Sequence, residues 1–331
     1  KNEAFDKLSG KYINVISGYN IEEDSWFDLE KFSPDYVFYS RPYVKEYPSL
    51  YRPEKVSKYA KICYTTYGFD FTLGYHIEVN YNKRLMPYTY MIFCEGRASI
   101  DYCKKMYSNK GKKIYDLGYA RFDLIHKIKS QIIPRKEIKN ILWIPRWSLD
   151  KVTGDGTSFF EYIEDLISFF TEEKYRNLGL IIRPHPLMFS NFLQKKVMSQ
   201  QEIDELYDRI NHIDNISFDN EDDYMTSAAK ADLILADFSS LLIEFAMLNI
   251  PILYCGSNSK FDETGHILDG AMYHVGDYNS VTEALEVIMK NDSLKEKREK
   301  AIREIGKNLD GQIGMNIAIE ILDDANSSRG H

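Results

Sequence analysis

The side chains best suited to chemistry in this sequence lie just past the ends of apolar runs. Leu233, Ile234, Leu235 and Ala236 form one such run without helical period, as a strand buried on both faces of a parallel sheet requires. Ser239 and Ser240 follow at once, and Leu241, Leu242, Phe245 and Leu248 then fall on one helical stripe that Pro251 stops. In such a unit of strand, turn, helix and strand, the turn sits at the carboxyl end of the strand, where open α/β sheets bind ligands. Two hydroxyls there, with the free N–H groups of the helix's first turn, offer a place for a phosphate or diphosphate. The same serines serve equally as helix caps, and the local sequence leaves both readings open. A second apolar run, residues 178–182, ends in Arg183-Pro184-His185-Pro186. The prolines stop the strand and stiffen the loop, which presents one cation and one imidazole, a pairing suited to a diphosphate leaving group.

The elements that must position these groups alternate along the chain. Strands are expected at residues 12–17, 36–40, 61–67, 90–94, 113–117, 141–145, 178–182, 216–218, 233–236, 252–254 and 271–275, with helices or helical stretches between most of them. Ile100, Cys103 and Tyr107 mark the stripe of one helix, and Phe159, Ile163, Leu166 and Phe170 that of another. Residues 256–270 read as a polar loop holding Lys260 and His266, and residues 280–289 and 294–305 as closing helices. Residues 127–139 are basic, carry Pro134 and show no stripe. They read as a linker dividing the chain into a domain of residues 1–135 and one of 136–331; contact with an anionic membrane surface is the alternative use of their charge.

Composition excludes several classes. With 331 residues, 44% hydrophobic and 28% charged, the chain can bury two ordinary globular cores. A net charge of −8 leaves no broad basic surface for nucleic acid. Twenty-five tyrosines suit clefts that hold sugars or bases, although an AT-rich genome would give the same count. Cys63, Cys94, Cys103 and Cys255 show neither Cys-x-x-Cys pairing nor metal spacing and read as thiols in a reducing compartment. The acid run from Asp219 to Asp223 reads as a loop and helix start whose charge favours the helix dipole, not as a metal site. No membrane span or signal peptide is read, so a cytoplasmic location is expected, with the inner face of the plasma membrane as the alternative; Lys1-Asn2-Glu3, without an initiator Met, reads as the start of an excised piece.

Asp237-Phe238-Ser239-Ser240, with Glu244 four residues on and Asn249-Ile250-Pro251-Ile252 entering the next strand, resembles the Asp-Tyr-Ser-Ser segment of the CDP-glycerol glycerophosphotransferase family, which builds teichoic acids and related capsule polymers. Three further segments match in the family's order. Gly118-Tyr119-Ala120-Arg121-Phe122-Asp123 resembles its Gly-x-Pro-Arg-x-Asp, residues 141–147 its Ala-Pro-Thr-Trp strand end, and Arg183-Pro184-His185-Pro186 its Arg-Pro-His-Pro. The resemblance spans roughly residues 90–320, and Asp310-Gly311 resembles the start of a tail that crosses back to brace the first domain. It implies an α/β, GT-B-like fold of two Rossmann-type domains facing a cleft. It also implies nucleotide and diphosphate binding by Arg183, Asp237, Ser239, Ser240, Glu244 and Arg121, with His185 in a catalytic role. Glu244 would hold the ribose or orient neighbours; Arg121 would sit at the cleft edge, unless it pairs with Asp123 at the surface.

The sequence departs from the family where its Trp-His-Gly-Thr segment, whose His is the expected base, would stand. Tyr67 precedes Gly68 there, and a tyrosine with a pKa near 10 is a poor base at neutral pH. Asp70 and His76, on the same loop, are the candidates for that role, though each is also an ordinary loop residue. No Gly-x-Gly-x-x-Gly, Gly-x-Ser-x-Gly, Walker loop or zinc spacing points elsewhere. The expectation is a metal-independent transferase without a cofactor, moving a group from a CDP-linked donor to a glycan, lipid-linked or polyol-phosphate acceptor. A GT-B glycosyltransferase using a CMP- or UDP-sugar, and a noncatalytic glycan- or nucleotide-binding module, are the alternatives.

Overall fold

A computed structural model describes residues 3–130, 132, 137–150, 156–219, 221, 223–257 and 260–329. Strands β1 (Tyr19–Asn20) and β2 (Ser25–Trp26) pair as a small antiparallel ribbon. Strands β3 (Tyr36–Tyr39), β4 (Lys61–Thr65), β5 (Thr89–Cys94) and β6 (Lys113–Asp116) follow as a four-stranded parallel sheet in that order. Strands β7 (Asn140–Ile144), β8 (Gly179–Ile182), β9 (Ile216–Phe218), β10 (Leu233–Ala236), β11 (Ile252–Tyr254) and β12 (Tyr273–His274) form a second parallel sheet, ordered β12-β11-β10-β7-β8-β9. Every residue of β10 and β11 is buried, as unbroken apolar runs in a doubly covered sheet demand. The order reverses between β7 and β10, so the crevice beyond their carboxyl ends is the topological switch point of the sheet.

Two expectations fail. Residues 12–17 form no strand: Asn14 adopts a left-handed φ of 61°, and Ile13 stands 89% exposed with no sheet to cover it. The segment 256–270 is not simply a loop, because Asp262 accepts the Gly265 N–H at 2.8 Å and caps a helix over Glu263–Asp269. The expected 135/136 boundary lies outside the described residues; a helix over Phe122–Lys129 takes the start of the basic segment.

The two sheets share a core across their boundary. Phe69, Phe71, Tyr119 and Phe122 of the first half pack with Leu242, Phe245 and Phe261 of the second. The Leu73 N–H donates to the Lys260 carbonyl at 2.7 Å and the Asp262 N–H to the Phe71 carbonyl at 3.0 Å. Only glycine fits at 265, since a Cβ there would lie 2.4 Å from the Phe71 carbonyl oxygen.

The last helix, Ile313–Arg329, crosses back to the first half. Asp123 accepts the Ile313 and Gly314 N–H groups at 3.0 and 2.7 Å. Further along, buried Asp324 accepts from Lys61 (2.7 Å), Lys113 (2.5 Å), Tyr36 (2.5 Å) and Tyr90 (2.8 Å), all near the amino ends of β3–β6. Desolvation alone would raise its pKa, but these four donors hold the carboxyl well below the usual aspartate value. The sheet is thus tied down at its amino end, which leaves its carboxyl end for the cleft.

Candidate functional site

A cleft of about 360 Å³ opens where the carboxyl ends of the two sheets meet. Tyr43, Tyr67, Asp70 and His76 line it from the first half; Arg146, Trp147, His185, Phe238, Ser239 and Ser240 line it from the second. Five residues singled out from sequence, Asp70, His76, His185, Ser239 and Ser240, therefore share one space although they are spread over 171 positions, 70 to 240.

Asp70 lies in the loop after β4 and is 8% exposed. Its Oδ1 accepts from the Thr72 N–H (3.1 Å) and the Thr72 hydroxyl (3.0 Å), while buried Oδ2 has no hydrogen-bond partner among the described residues. Burial pushes the carboxyl above the ordinary aspartate value; Thr72 and nearby His76 offset part of that. Tyr67 is disqualified as a base twice over: burial and the Tyr43 hydroxyl, 2.8 Å away, push its phenol up to about 12.

Across the cleft, the Leu187 N–H donates to His185 Nδ1 at 3.1 Å, which leaves the proton of the neutral ring on Nε2. Burial and the Arg146 charge lower the His185 pKa, so the ring is a neutral donor at physiological pH. Trp147 sits beside it, ring centroids 6.1 Å apart. The Ser239 hydroxyl accepts the Leu241 N–H at 3.2 Å and so does serve as a cap, whereas Ser240 makes no side-chain cap bond. The helix they open, Leu241–Met247, is only seven residues long. The hydroxyls, rather than a long dipole, are what the turn offers.

A model of CDP-glycerol:poly(glycerophosphate) glycerophosphotransferases matches residues 66–316. The chain belongs to this family. The teichoic acid poly(glycerol phosphate) polymerase of Bacillus subtilis (strain 168) is 26% identical over 184 residues, covering 53% of this chain and 22% of the relative. The chain thus spans about a fifth of that polymerase's length. Among solved structures, a wall teichoic acid polymerase TagF variant soaked with CDPG aligns at TM-score 0.54 and 13% identity, over 90% of this chain and 74% of that one. UDP-GlcNAc 2-epimerase from Neisseria meningitidis bound to UDP-GlcNAc aligns at 0.56 and 16%, over 89% and 78%. At these identities the likeness is one of fold, and the fold is of GT-B type.

Within this glycerophosphotransferase-family chain, four other residues singled out by motif lie outside the cleft lining. Arg183 Nη1 donates to Asp219 Oδ2 at 2.6 Å and to the Glu221 carbonyl at 3.0 Å, contacts that turn it toward the acid loop after β9. Asp237 is buried and acceptor-only: it takes the N–H groups of Arg146 (2.7 Å) and Ser158 (3.0 Å) and the Thr157 hydroxyl (3.3 Å), so it positions Arg146. Glu244, 2% exposed, accepts from Arg121 Nε at 3.3 Å, from Tyr119 at 3.2 Å and from the Tyr224 hydroxyl. Arg121 also donates to Tyr224, and it pairs with Glu244 rather than with Asp123, which caps the last helix. Burial raises the Glu244 carboxyl, and the Arg121 charge with the two phenols offsets part of the rise.

The cation that does line the cleft is Arg146, which sequence reasoning passed over. Its Nη1 donates to the Phe238 carbonyl at 2.9 Å and its guanidinium lies 4.8 Å from the Phe238 ring centroid. The signal was present: Pro145-Arg146-Trp147 ends β7, the strand at the switch point.

Proposed function

We propose that this chain transfers glycerol phosphate from CDP-glycerol to a hydroxyl of a polyol-phosphate or glycan acceptor in the cleft between its halves. The observation that supports this above all is Asp70, a buried carboxylate with an unpartnered oxygen, facing a neutral imidazole and paired hydroxyls across a cleft in a chain of this family. Asp70 Oδ2 takes the proton of the acceptor hydroxyl, whose oxygen forms a bond to the phosphorus bearing the glycerol. The bond from that phosphorus to the bridging oxygen breaks, and CMP leaves with the electron pair. His185 Nε2–H and the Arg146 guanidinium face the charge that develops on the leaving phosphate, and Ser239 and Ser240 hold its oxygens. A raised pKa suits Asp70 to this work, because a carboxylate that holds its proton more tightly is the stronger base.

Cation and hydroxyl donors take the place a metal would fill, so turnover should survive EDTA; loss on chelation and recovery with Mg²⁺ or Mn²⁺ would reverse that reading. A lipid-linked acceptor would bring the reaction to the inner membrane face. The donor is tested by calorimetric titration with CDP-glycerol, a CMP-sugar and UDP-GlcNAc. Heat with CDP-glycerol alone is expected, and heat with UDP-GlcNAc alone would point to sugar chemistry instead.

A further inference from the structure

A second and larger groove, about 900 Å³, runs over the first half beside the cleft. Tyr43 and Val79 line both, so the two spaces adjoin. Val44, Val79, Tyr102 and Met106 give the groove apolar surface, and Lys45, Lys83, Arg84 and Lys105 give it charge. None of these four cations has a side-chain hydrogen bond or ion pair among the described residues. Of its two acids, Glu46 is taken by Arg41 at 2.6 Å, which leaves the groove positive on a chain whose net charge is −8. The shape is built: Asn82 Nδ2 donates to the Pro42 carbonyl at 2.9 Å and to the Val79 carbonyl at 2.8 Å, pinning the loop after β3 against the helix Tyr75–Asn80.

We infer that this groove is the acceptor track. It holds an anionic polyol-phosphate chain whose phosphodiesters meet Lys45, Lys83, Arg84 and Lys105, whose carbons lie on Tyr102 and Met106, and whose terminal hydroxyl passes Tyr43 to reach Asp70. The inference rests on the transfer reading for what happens at the end of the track, not for the binding itself. A concave channel leading into the cleft suits a threaded chain, whereas a membrane would need a convex or flat basic face. Exposed cations act through screened charge, so binding should weaken steeply with salt.

The test titrates fluorescently labelled glycerol-phosphate oligomers into wild type, into Lys83→Glu with Arg84→Glu, and into Lys195→Glu with Lys196→Glu, the same charge change at an exposed site on the other half. The groove variant should bind the oligomers about tenfold or more weakly, with less salt dependence, while the distant variant behaves as wild type and CDP-glycerol binding holds in all three. Equal oligomer affinity in wild type and groove variant overturns the inference, as does equal loss in both variants, or a wild type that binds anionic lipid vesicles and not oligomers. If oligomers bind through the groove but CDP-glycerol gives no heat, the track stands and the transfer reading falls. If CDP-glycerol binds and oligomers ignore the groove, the reverse holds.

Discussion

Glu244 and Asp70 are both buried acids at the boundary between the two halves, and they have opposite surroundings. Glu244 is surrounded by donors: Arg121 and Tyr119 reach it from the first half and Tyr224 from the second. Asp70 has one donor residue, Thr72, and a buried oxygen with none among the described residues. A buried carboxylate with donors on both oxygens holds a structure together; one left with an oxygen unpartnered is costly to keep, a cost that a working site carries more readily than a joint. The contrast separates the joint from the site, although the family resemblance had placed Glu244, and not Asp70, among its matched segments.

The contrast breaks first at the joint. Glu244→Ala leaves the Arg121 guanidinium and the Tyr224 phenol without their carboxylate, while the Tyr119 hydroxyl keeps the Tyr67 carbonyl at 2.9 Å, and should lower stability by about 3 kcal/mol, near the low end for a broken buried pair because Arg121 reaches solvent. Urea midpoints would measure it, and the transfer rate of the folded protein should be nearly unchanged. A large rate loss at full folding would put Glu244 in the site after all.

Glu95 sharpens the comparison, since it lies buried near Asp70. Burial lifts it from 4.5 to about 7, and the Asp70 charge adds to the rise. The folded state thus prefers Glu95 protonated. Stability from this group is complete below about 4.5 and lost as pH climbs to about 7, a fall of about 3 kcal/mol. Glu95→Gln should flatten urea midpoints across that window; an unchanged slope would mean that Glu95 does not titrate there.

His185→Ala should slow donor-dependent transfer by roughly 100-fold, the scale of a lost acid or charge-stabilising group, with little change in melting temperature because the ring lines the cleft and belongs to none of the hydrophobic cores. Retention of most of the rate would remove His185 from the mechanism. The smallest effect belongs to Ser239→Ala with Ser240→Ala. Losing the cap costs about 1 kcal/mol of stability, and calorimetry should show weaker CDP-glycerol binding; unchanged affinity would reduce the pair to a cap.

The strands of the second half and its longer helices were legible, because fully buried parallel strands such as β10 are unbroken apolar runs and helices such as Phe159–Thr171 keep their stripe, whereas the short helix Glu263–Asp269 read as loop. The first 35 residues were not. Alternation at 12–17 imitates a strand, and the one hint of the left-handed turn, an asparagine at 14, is outweighed by the apolar residues around it. At the site, sequence shows which loop a residue occupies but not which partner claims its side chain. Arg183 stands at a strand end as expected, yet Asp219, 36 positions on, neutralises it, and Arg146 takes its place in the cleft.

The most direct measurement follows CMP release from CDP-glycerol, with a glycerol-phosphate oligomer as acceptor, against pH in wild type and Asp70→Asn side by side. Wild type should release CMP only with acceptor present, at a rate that rises on the acid side through one ionisation above the usual aspartate range. Asp70→Asn should be at least about 100-fold slower. It should also be no less stable at neutral pH, since a carboxyl raised by burial loses stability as it ionises and the amide does not. Equal rates in the two proteins, or no CMP release by wild type at any pH, would contradict Asp70 as the base at the centre of this cleft.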